Sequence, residues 1–272
     1  MLPLPGYRRI ARWTALHVDF IVPNIVYQMG KVGSSAIVEV IARTGRPVFH
    51  VHRMEAGHLK RMRDERQALG WLNPPIPPHD KLGLMLREKV IARGRRAKII
   101  TLVRDPIARN LSSYFEHLDA IWHTPDAHQV IPLDRLIAGF FERYPHNDPL
   151  TWFDEEMKPV FGIDLYDHPF PPGGHLTVRT DRFELLILKS EATQSVKQTA
   201  LSLFLGSDVV VSQANATRLT PKGSVYIEFL SAIQFSPAYV SEMLNARYAH
   251  HFYGEQERDA LRHKYHRGAR PD

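Results

Sequence analysis

Lys31, Ser34 and Ser35 stand close together in Gln28-Met29-Gly30-Lys31-Val32-Gly33-Ser34-Ser35. These residue types, in this spacing, suit the binding of an anion. The lysine brings a full positive charge and the serines bring hydroxyl donors. Glycines on both sides of Lys31 permit a tight turn. The apolar run Ile25 to Tyr27 ahead of it suits a buried strand. Beyond it Ile37, Val40 and Ile41 fall at helical spacing, with Ser34 where an N-cap sits. Strand, glycine turn and helix N-terminus together aim backbone N–H groups and the positive end of a helix dipole at one spot. The competing reading is an ordinary strand-to-helix turn that happens to hold two glycines. The nucleotide-triphosphate P-loop is a different pattern: Ile25 stands where its first glycine would be, and Val32 replaces the Ser or Thr that holds magnesium.

A second apolar run leads into a second polar group. Lys98-Ile-Ile-Thr-Leu-Val103 reads as a compact strand. It runs straight into Arg104-Asp105-Pro106-Ile107-Ala108-Arg109-Asn110-Leu111-Ser112-Ser113-Tyr114-Phe115. Arg104 falls at the C-terminal end of that strand, the edge at which open α/β sheets bind ligands. The plain alternative makes Arg104-Asp105 a surface pair beside a helix-starting Pro106. Lys-x-Gly-Ser-Ser after one strand, then Val-Arg-Asp-Pro-x-x-Arg-x-x-Ser-x-Tyr after a later one, resembles the sulfotransferase superfamily. Its members use 3'-phosphoadenosine 5'-phosphosulfate (PAPS) and release adenosine 3',5'-bisphosphate (PAP). The resemblance is greatest to the glycan sulfotransferases and the bacterial capsular polysaccharide synthesis proteins. It covers a small part of the chain, but the order and the strand-then-helix setting of both motifs agree.

The resemblance implies a role for each matching residue. Lys31 would contact the bridging oxygen and the sulfuryl group. The backbone at Val32 and Gly33 and the hydroxyls of Ser34 and Ser35 would cradle the 5'-phosphate. Arg104 and Ser112 would hold the 3'-phosphate, which requires the chain to turn back on itself. The stretch Asn215 to Tyr226 is similar to the lysine–glycine loop that closes over the nucleotide in many sulfotransferases, and makes Lys222 and Gly223 further contacts. In related enzymes the catalytic base, a His or a Glu, often follows the second strand. Val48-Phe49-His50-Val51-His52 reads as that strand, so His52 is the expected base, with Glu55 as the carboxylate alternative. Imidazole suits the role because its pKa lies near neutrality. A hydrogen-bonded histidine with no catalytic part is the other reading, since the chain has 15 histidines.

The elements that must position these residues read as an α/β, P-loop-like three-layer fold. A central, mainly parallel sheet is flanked by helices, and the C-terminal part is helical. The 272 residues are 44% hydrophobic, enough for a sizeable core. They are expected to form one sulfotransferase-like domain over 1–272, with an N-terminal arm over 1–20 and C-terminal helices over 237–272. The arm contains an amphipathic piece, Ile10, Trp13, Leu16 and Val18. Residues 56–69 look helical. Asn73-Pro-Pro-Ile-Pro-Pro78 reads as a polyproline-like linker, and Leu82 to Ala92 as a crossover helix closed by Gly94. Arg93, Arg95, Arg96 and Lys98 form a basic knot read as an exposed helix end. A helix is expected from Pro106 to about Trp122, then a loop over 123–132, then an amphipathic helix over 133–144. Trp152 opens a helix and is read as core rather than as a sugar-stacking ring. Phe183 to Leu188 is the fourth strand, followed by a helix over 194–205. Two helices, 237–248 and 255–266, close the chain.

Composition narrows the function classes. The chain has no cysteine, so disulfides and thiolate zinc sites are excluded. A reducing, cytoplasmic setting is expected. The formal charge of +6 suits an anionic cofactor or an acidic polymer. No apolar run is long enough to span a bilayer, and no signal-peptide core follows the first residues. Adjacent histidines such as His250 and His251 point different ways on a helix, so no metal site is expected. The expectation is therefore a metal-free, PAPS-dependent sulfotransferase acting on a carbohydrate or other hydroxyl acceptor by in-line displacement, with no nucleic-acid partner. The alternatives are a P-loop kinase-like enzyme and a non-catalytic binder of acidic glycan or nucleic acid.

Overall fold

The structure, a computed structural model, describes residues 5–72, 75–211 and 221–267. Its centre is a five-stranded sheet in the order β2-β1-β3-β5-β4. The strands are β1 (Asn24–Tyr27), β2 (Val48–Val51), β3 (Ala97–Val103), β4 (His175–Arg179) and β5 (Phe183–Lys189). β1, β2, β3 and β5 run parallel, and β4 pairs antiparallel to β5. β1 is buried throughout, and β3 and β5 nearly so, which is why they read as continuous apolar runs rather than alternating ones. β4 is half-exposed, as a sheet edge is. The parallel register brings the C-terminal ends of β1, β2, β3 and β5 to one side of the sheet.

The helices, in chain order, begin with α1 (Pro5–His17), α2 (Ser35–Arg43), α3 (Ala56–Ala68), α4 (Pro78–Leu86) and α5 (Pro106–Glu116). Next come α6 (Leu118–Trp122), α7 (Ala127–Val130), α8 (Leu133–Arg143), α9 (Asp148–Trp152) and α10 (Lys158–Phe161). The last are α11 (Gln194–Leu205), α12 (Pro221–Ala232), α13 (Pro237–Asn245), α14 (Arg247–Phe252) and α15 (Glu255–His266). By internal contacts the chain divides into two compact units: Met1–Leu59, Ile76–Arg104 and Trp152–Ala214 in one, and Lys60–Pro75, Asp105–Thr151 and Asn215–Asp272 in the other. The first holds the whole sheet. The second is helical, around a buried aromatic cluster that includes Tyr114, Phe140, Tyr144 and Phe229. Tyr114 donates to the Leu136 carbonyl at 2.8 Å and accepts from Trp122 Nε1 at 3.2 Å, so its polar end is satisfied inside that core.

Several boundaries differ from expectation, each for a local reason. α4 starts at Pro78, inside the stretch read as linker, because a proline at the first helical position fits its φ without strain. Asn73 and Pro74 of that stretch lie outside the described residues. α4 then passes into a π-helical turn over Arg87–Ile91. The helix after Pro106 stops at Glu116, where His117 leaves helical dihedrals and its ring bonds the Ser113 carbonyl. The basic knot is an exposed helix end only at Arg93 and Arg96. Arg95 is buried against α1, and Lys98 Nζ pairs with Glu184 at 2.8 Å. The penultimate helix breaks at Ala246, whose extended backbone separates α13 from α14. The N-terminal arm is a helix from Pro5 and belongs to the unit that holds the sheet.

One close approach fixes how α4 meets the chain after β2. A Cβ built on Gly83 would fall 1.9 Å from the Arg53 carbonyl oxygen. Only hydrogen fits there, so Gly83→Ala must push α4 off this backbone. The expected loss is about 2–3 kcal/mol, the upper range for overpacking, read as a lower denaturation midpoint. Gly173→Ala, with nothing within 4 Å of its Cβ, is the control and is expected to shift it little.

Candidate functional site

In this sheet β1 leaves toward β2 on one side and β3 toward β5 on the other. The crossovers diverge between β1 and β3, and ligands of doubly wound sheets bind at the carboxyl ends of strands beside such a point. The Gly30–Gly33 turn sits there. Lys31 adopts φ 71° and Gly33 φ 83°. A left-handed backbone costs a non-glycine residue about 1–2 kcal/mol, so something must hold Lys31. Two neighbours do. Arg104 Nη1 donates to the Lys31 carbonyl at 2.7 Å, and Ser190 Oγ donates to the Val32 carbonyl at 2.8 Å. Ser190 is in turn tied to β3, its N–H donating to the Val103 carbonyl at 2.7 Å. The residues that follow β3 and β5 thus clamp two consecutive carbonyls of the turn.

Ser34 occupies the N-cap position of α2, but its hydroxyl makes no cap bond. It is buried and bonded inward, accepting from Gln28 Nε2 at 2.7 Å and lying 3.0 Å from His50 Nε2. Gln28 Nε2 also faces His50 Nε2 at 3.1 Å. An amide donor opposite that nitrogen requires it to be unprotonated, which places the His50 proton on Nδ1. A serine that caps its helix occupies the first N–H groups. This one leaves them to an outside acceptor, the arrangement an anion site needs. Gly33 and Ser35 are exposed beside it, Lys31 is half-buried and Val32 is buried. The exposed serine hydroxyl at this helix end is therefore Ser35, and Ser34 serves as an internal brace.

His52 lies one residue past the end of β2. Its Nδ1 is 3.0 Å from the Gln28 carbonyl oxygen, an acceptor only, so Nδ1 carries the proton and Nε2 presents its lone pair. That Nε2 lies 4.0 Å from where a Cβ on Gly30 would be, close against the turn. The backbone carbonyl of His52 is held by Trp152 Nε1 at 3.1 Å. Trp152 itself is fully buried, so it positions this segment from the core. The His52 ring packs edge-on against His50 and His79, with centroids 5.0 and 4.6 Å away. Burial, then His50, His79 and Arg53, push His52 down to about 3, and burial brings His50 to about 4. Both rings are neutral at pH 7.

The sign of the stability effect follows. An unfolded histidine titrates near 6.5, and the folded His52 binds its proton only near 3. Its contribution is complete above pH 6.5 and is lost as the pH falls from there toward 3, by about 1.4 kcal/mol per pH unit. His52→Gln keeps a donor for the Gln28 carbonyl and removes the titration. The acid limb of a stability-versus-pH curve is expected to flatten by about that slope. An unchanged limb would place the ring in solvent.

Glu55 is committed elsewhere. It accepts from the His58 N–H at 2.5 Å, capping α3, and pairs with Arg87 at 3.2 Å. Partial burial raises its pKa, but the His58 and Gly57 amides and Arg87 outweigh it and leave it below the usual carboxylate range. Its carboxylate is taken up by the α3 cap and by Arg87. Asp105, of the Arg104-Asp105 pair, is also a cap: it is buried, accepts from the Ile107 N–H at 3.0 Å and bonds the Tyr265 hydroxyl.

A further group near His52 has no signature in the sequence. Glu156, fully buried in a π-helical turn over Phe153–Met157, accepts from the Met54 N–H at 2.8 Å and the Glu55 N–H at 3.0 Å. The same carboxylate bonds the Tyr27 hydroxyl at the end of β1, and its other oxygen lies 2.6 Å from His58 Nδ1. Glu156 thus ties the exit of β1 to the start of α3, on either side of the His52 segment. Ser190 is the other positioning residue that was missed. It follows β5 as Arg104 follows β3, so the strand-end rule that singles out Arg104 could have found it.

The remaining expected contacts lie in the second unit. Ser112 is half-buried on α5. Lys222 and Gly223 belong to the first turns of α12 rather than to a loop, because Pro221 starts that helix. Residues 215–220 of the expected loop lie outside the described residues. No family model, curated protein or solved structure matches this chain. Among the described residues no helix is long and apolar enough to cross a membrane.

Proposed function

We propose that the turn after β1 binds the phosphosulfate end of PAPS and that the protein transfers its sulfuryl group to an acceptor hydroxyl, on a carbohydrate. The observation that carries this reading is the clamped turn. Lys31 is held in a left-handed conformation by Arg104 and Ser190, beside a helix N-terminus whose cap serine is bonded elsewhere. The donor set fits a phosphosulfate: backbone N–H groups, one ammonium and the exposed Ser35 hydroxyl. PAPS would supply a sulfuryl group already activated for departure from PAP.

What the chain's own residues do is placement and charge. Lys31 neutralises charge gathering on the bridging oxygen as the sulfur–oxygen bond breaks. His52, with Nδ1–H held by the Gln28 carbonyl, accepts the acceptor's hydroxyl proton at Nε2 while the new oxygen–sulfur bond forms. Its pKa near 3 makes it a weak base at rest, and negative charge brought to the turn raises it. Glu55, bound to Arg87 and to α3, is the weaker choice for that role. Arg104 is the residue of this unit proposed for the 3'-phosphate; Ser112, Lys222 and Gly223, which the resemblance also implies, belong to the other unit.

The test is a thermal melt with PAP, with ATP as control. Ligand at a hundred times its dissociation constant adds about 2.7 kcal/mol to stability, a rise of several degrees for a chain of this size. A rise with PAP alone supports the reading. No rise at millimolar PAP, or an equal one with magnesium and ATP, rejects it.

A further inference from the structure

α1 reads Pro5-Gly-Tyr-Arg-Arg-Ile-Ala-Arg-Trp-Thr-Ala-Leu-His17, with three arginines and no acidic residue. Its inner face is anchored. Ala15 and Leu16 are buried, and the buried Arg95 gathers the carbonyls of Ala15, Leu16 and Val18 at 2.9, 3.0 and 2.5 Å. Arg95 also pairs with Asp19 at 3.2 Å. The outer face is apolar. Ile10 is 65% exposed, Trp13 60% and, just past the helix, Phe20 87%. The Trp13 ring stacks on His17 with centroids 4.7 Å apart. Arg9 is exposed on the same side. A cavity of about 140 Å³ opens beside the helix, lined in part by Arg12 and Arg46.

We propose that this face docks on an anionic lipid surface, with Ile10, Trp13 and Phe20 in the boundary between headgroups and acyl chains and Arg9 and Arg46 meeting the lipid phosphates, while Arg12 lies inward over the buried Phe49 ring. A helix with Trp and Ile on its outer face and arginine beside them has the composition of an interfacial helix. At 13 residues it is too short to span a bilayer and long enough to lie on one. The charge selects lipid over a second copy of the chain. A symmetric pairing of this face would set arginine against arginine, with no acid on the helix and with the neighbouring Asp19 already paired to Arg95. The proposal does not depend on the sulfotransferase reading.

The full chain is sedimented with phosphatidylcholine vesicles and with vesicles that also carry phosphatidylglycerol. Binding is expected to the anionic vesicles, to weaken with salt, and to shift Trp13 emission to the blue. Ile10→Gln/Trp13→Gln/Phe20→Gln is expected to weaken it at least about tenfold, and Arg9→Gln/Arg46→Gln by about fivefold per arginine. These side chains are exposed or half-exposed, so the variants should fold, checked by their melts. Trp13→Phe should bind and lose the emission shift. Absence of binding to anionic vesicles at low salt overturns the proposal. So does equal binding by the triple variant, or a dimer in light scattering that the triple variant converts to monomer.

Discussion

Lys31→Ala is expected to lower sulfuryl transfer by about 10²–10³-fold, the usual loss when one preorganised charge is removed from a developing oxyanion. PAP should still raise the melting temperature, because the helix N-terminus, Ser35 and the backbone of the turn remain. The left-handed backbone at Lys31 supplies an internal control. Alanine keeps that strain. Lys31→Gly removes the same ammonium and relieves it, at a smaller gain in unfolded-state entropy, and should be more stable than Lys31→Ala by up to about 1 kcal/mol. Two variants with the same lost charge and different stabilities, but equally low turnover, would tie the rate loss to the ammonium. If Lys31→Ala keeps wild-type turnover, the assignment of this turn to sulfuryl transfer fails. If both variants also lose the PAP shift, Lys31 acts in ground-state binding, and kcat would fall less than kcat/KM.

The parts of this site written in local patterns were legible, and the parts made by folding were not. The β1 turn and Arg104 each combine a strand ending with residues next to it, so a window of a dozen residues contains the signal. The helices at 133–143 and 194–205 carry their apolar periodicity within themselves. β4 was missed because His175–Arg179 is short, half-exposed and antiparallel, with little apolar run to announce it. Ser34 was placed correctly at the start of α2, but its bonding was not. The partner that turns its hydroxyl away, His50, arrives from another strand. The loop setting expected for Lys222 failed for the opposite reason: a short local likeness to a loop was outweighed by the helix that Pro221 begins.

Glu156 is the strongest case, and its removal should be the largest loss of stability. In sequence, Asp154-Glu155-Glu156 looks like ordinary acidic residues near a helix start. In the fold, Glu156 is fully buried and answers four groups: the Tyr27 hydroxyl, two backbone N–H groups and the His58 ring. Glu156→Ala leaves those groups without their acceptor and opens a void. Breaking a buried polar network of this kind costs about 3–5 kcal/mol, against a total stability of about 5–15 kcal/mol for a typical domain. A fall of that size in the unfolding free energy is expected in denaturant melts. Glu156→Gln keeps the volume and one acceptor oxygen, but puts an amide donor where another donor already points, and should lose about half as much. Tyr27→Phe removes a single partner and should lose about 1–2 kcal/mol. The three then rank Ala, Gln, Phe in decreasing loss. Because Glu156 holds Met54 and Glu55 just after His52, the Gln variant should also transfer sulfuryl groups more slowly while still binding PAP. A loss below about 1 kcal/mol in Glu156→Ala would mean water reaches the carboxylate, and the network would not be what holds the His52 segment.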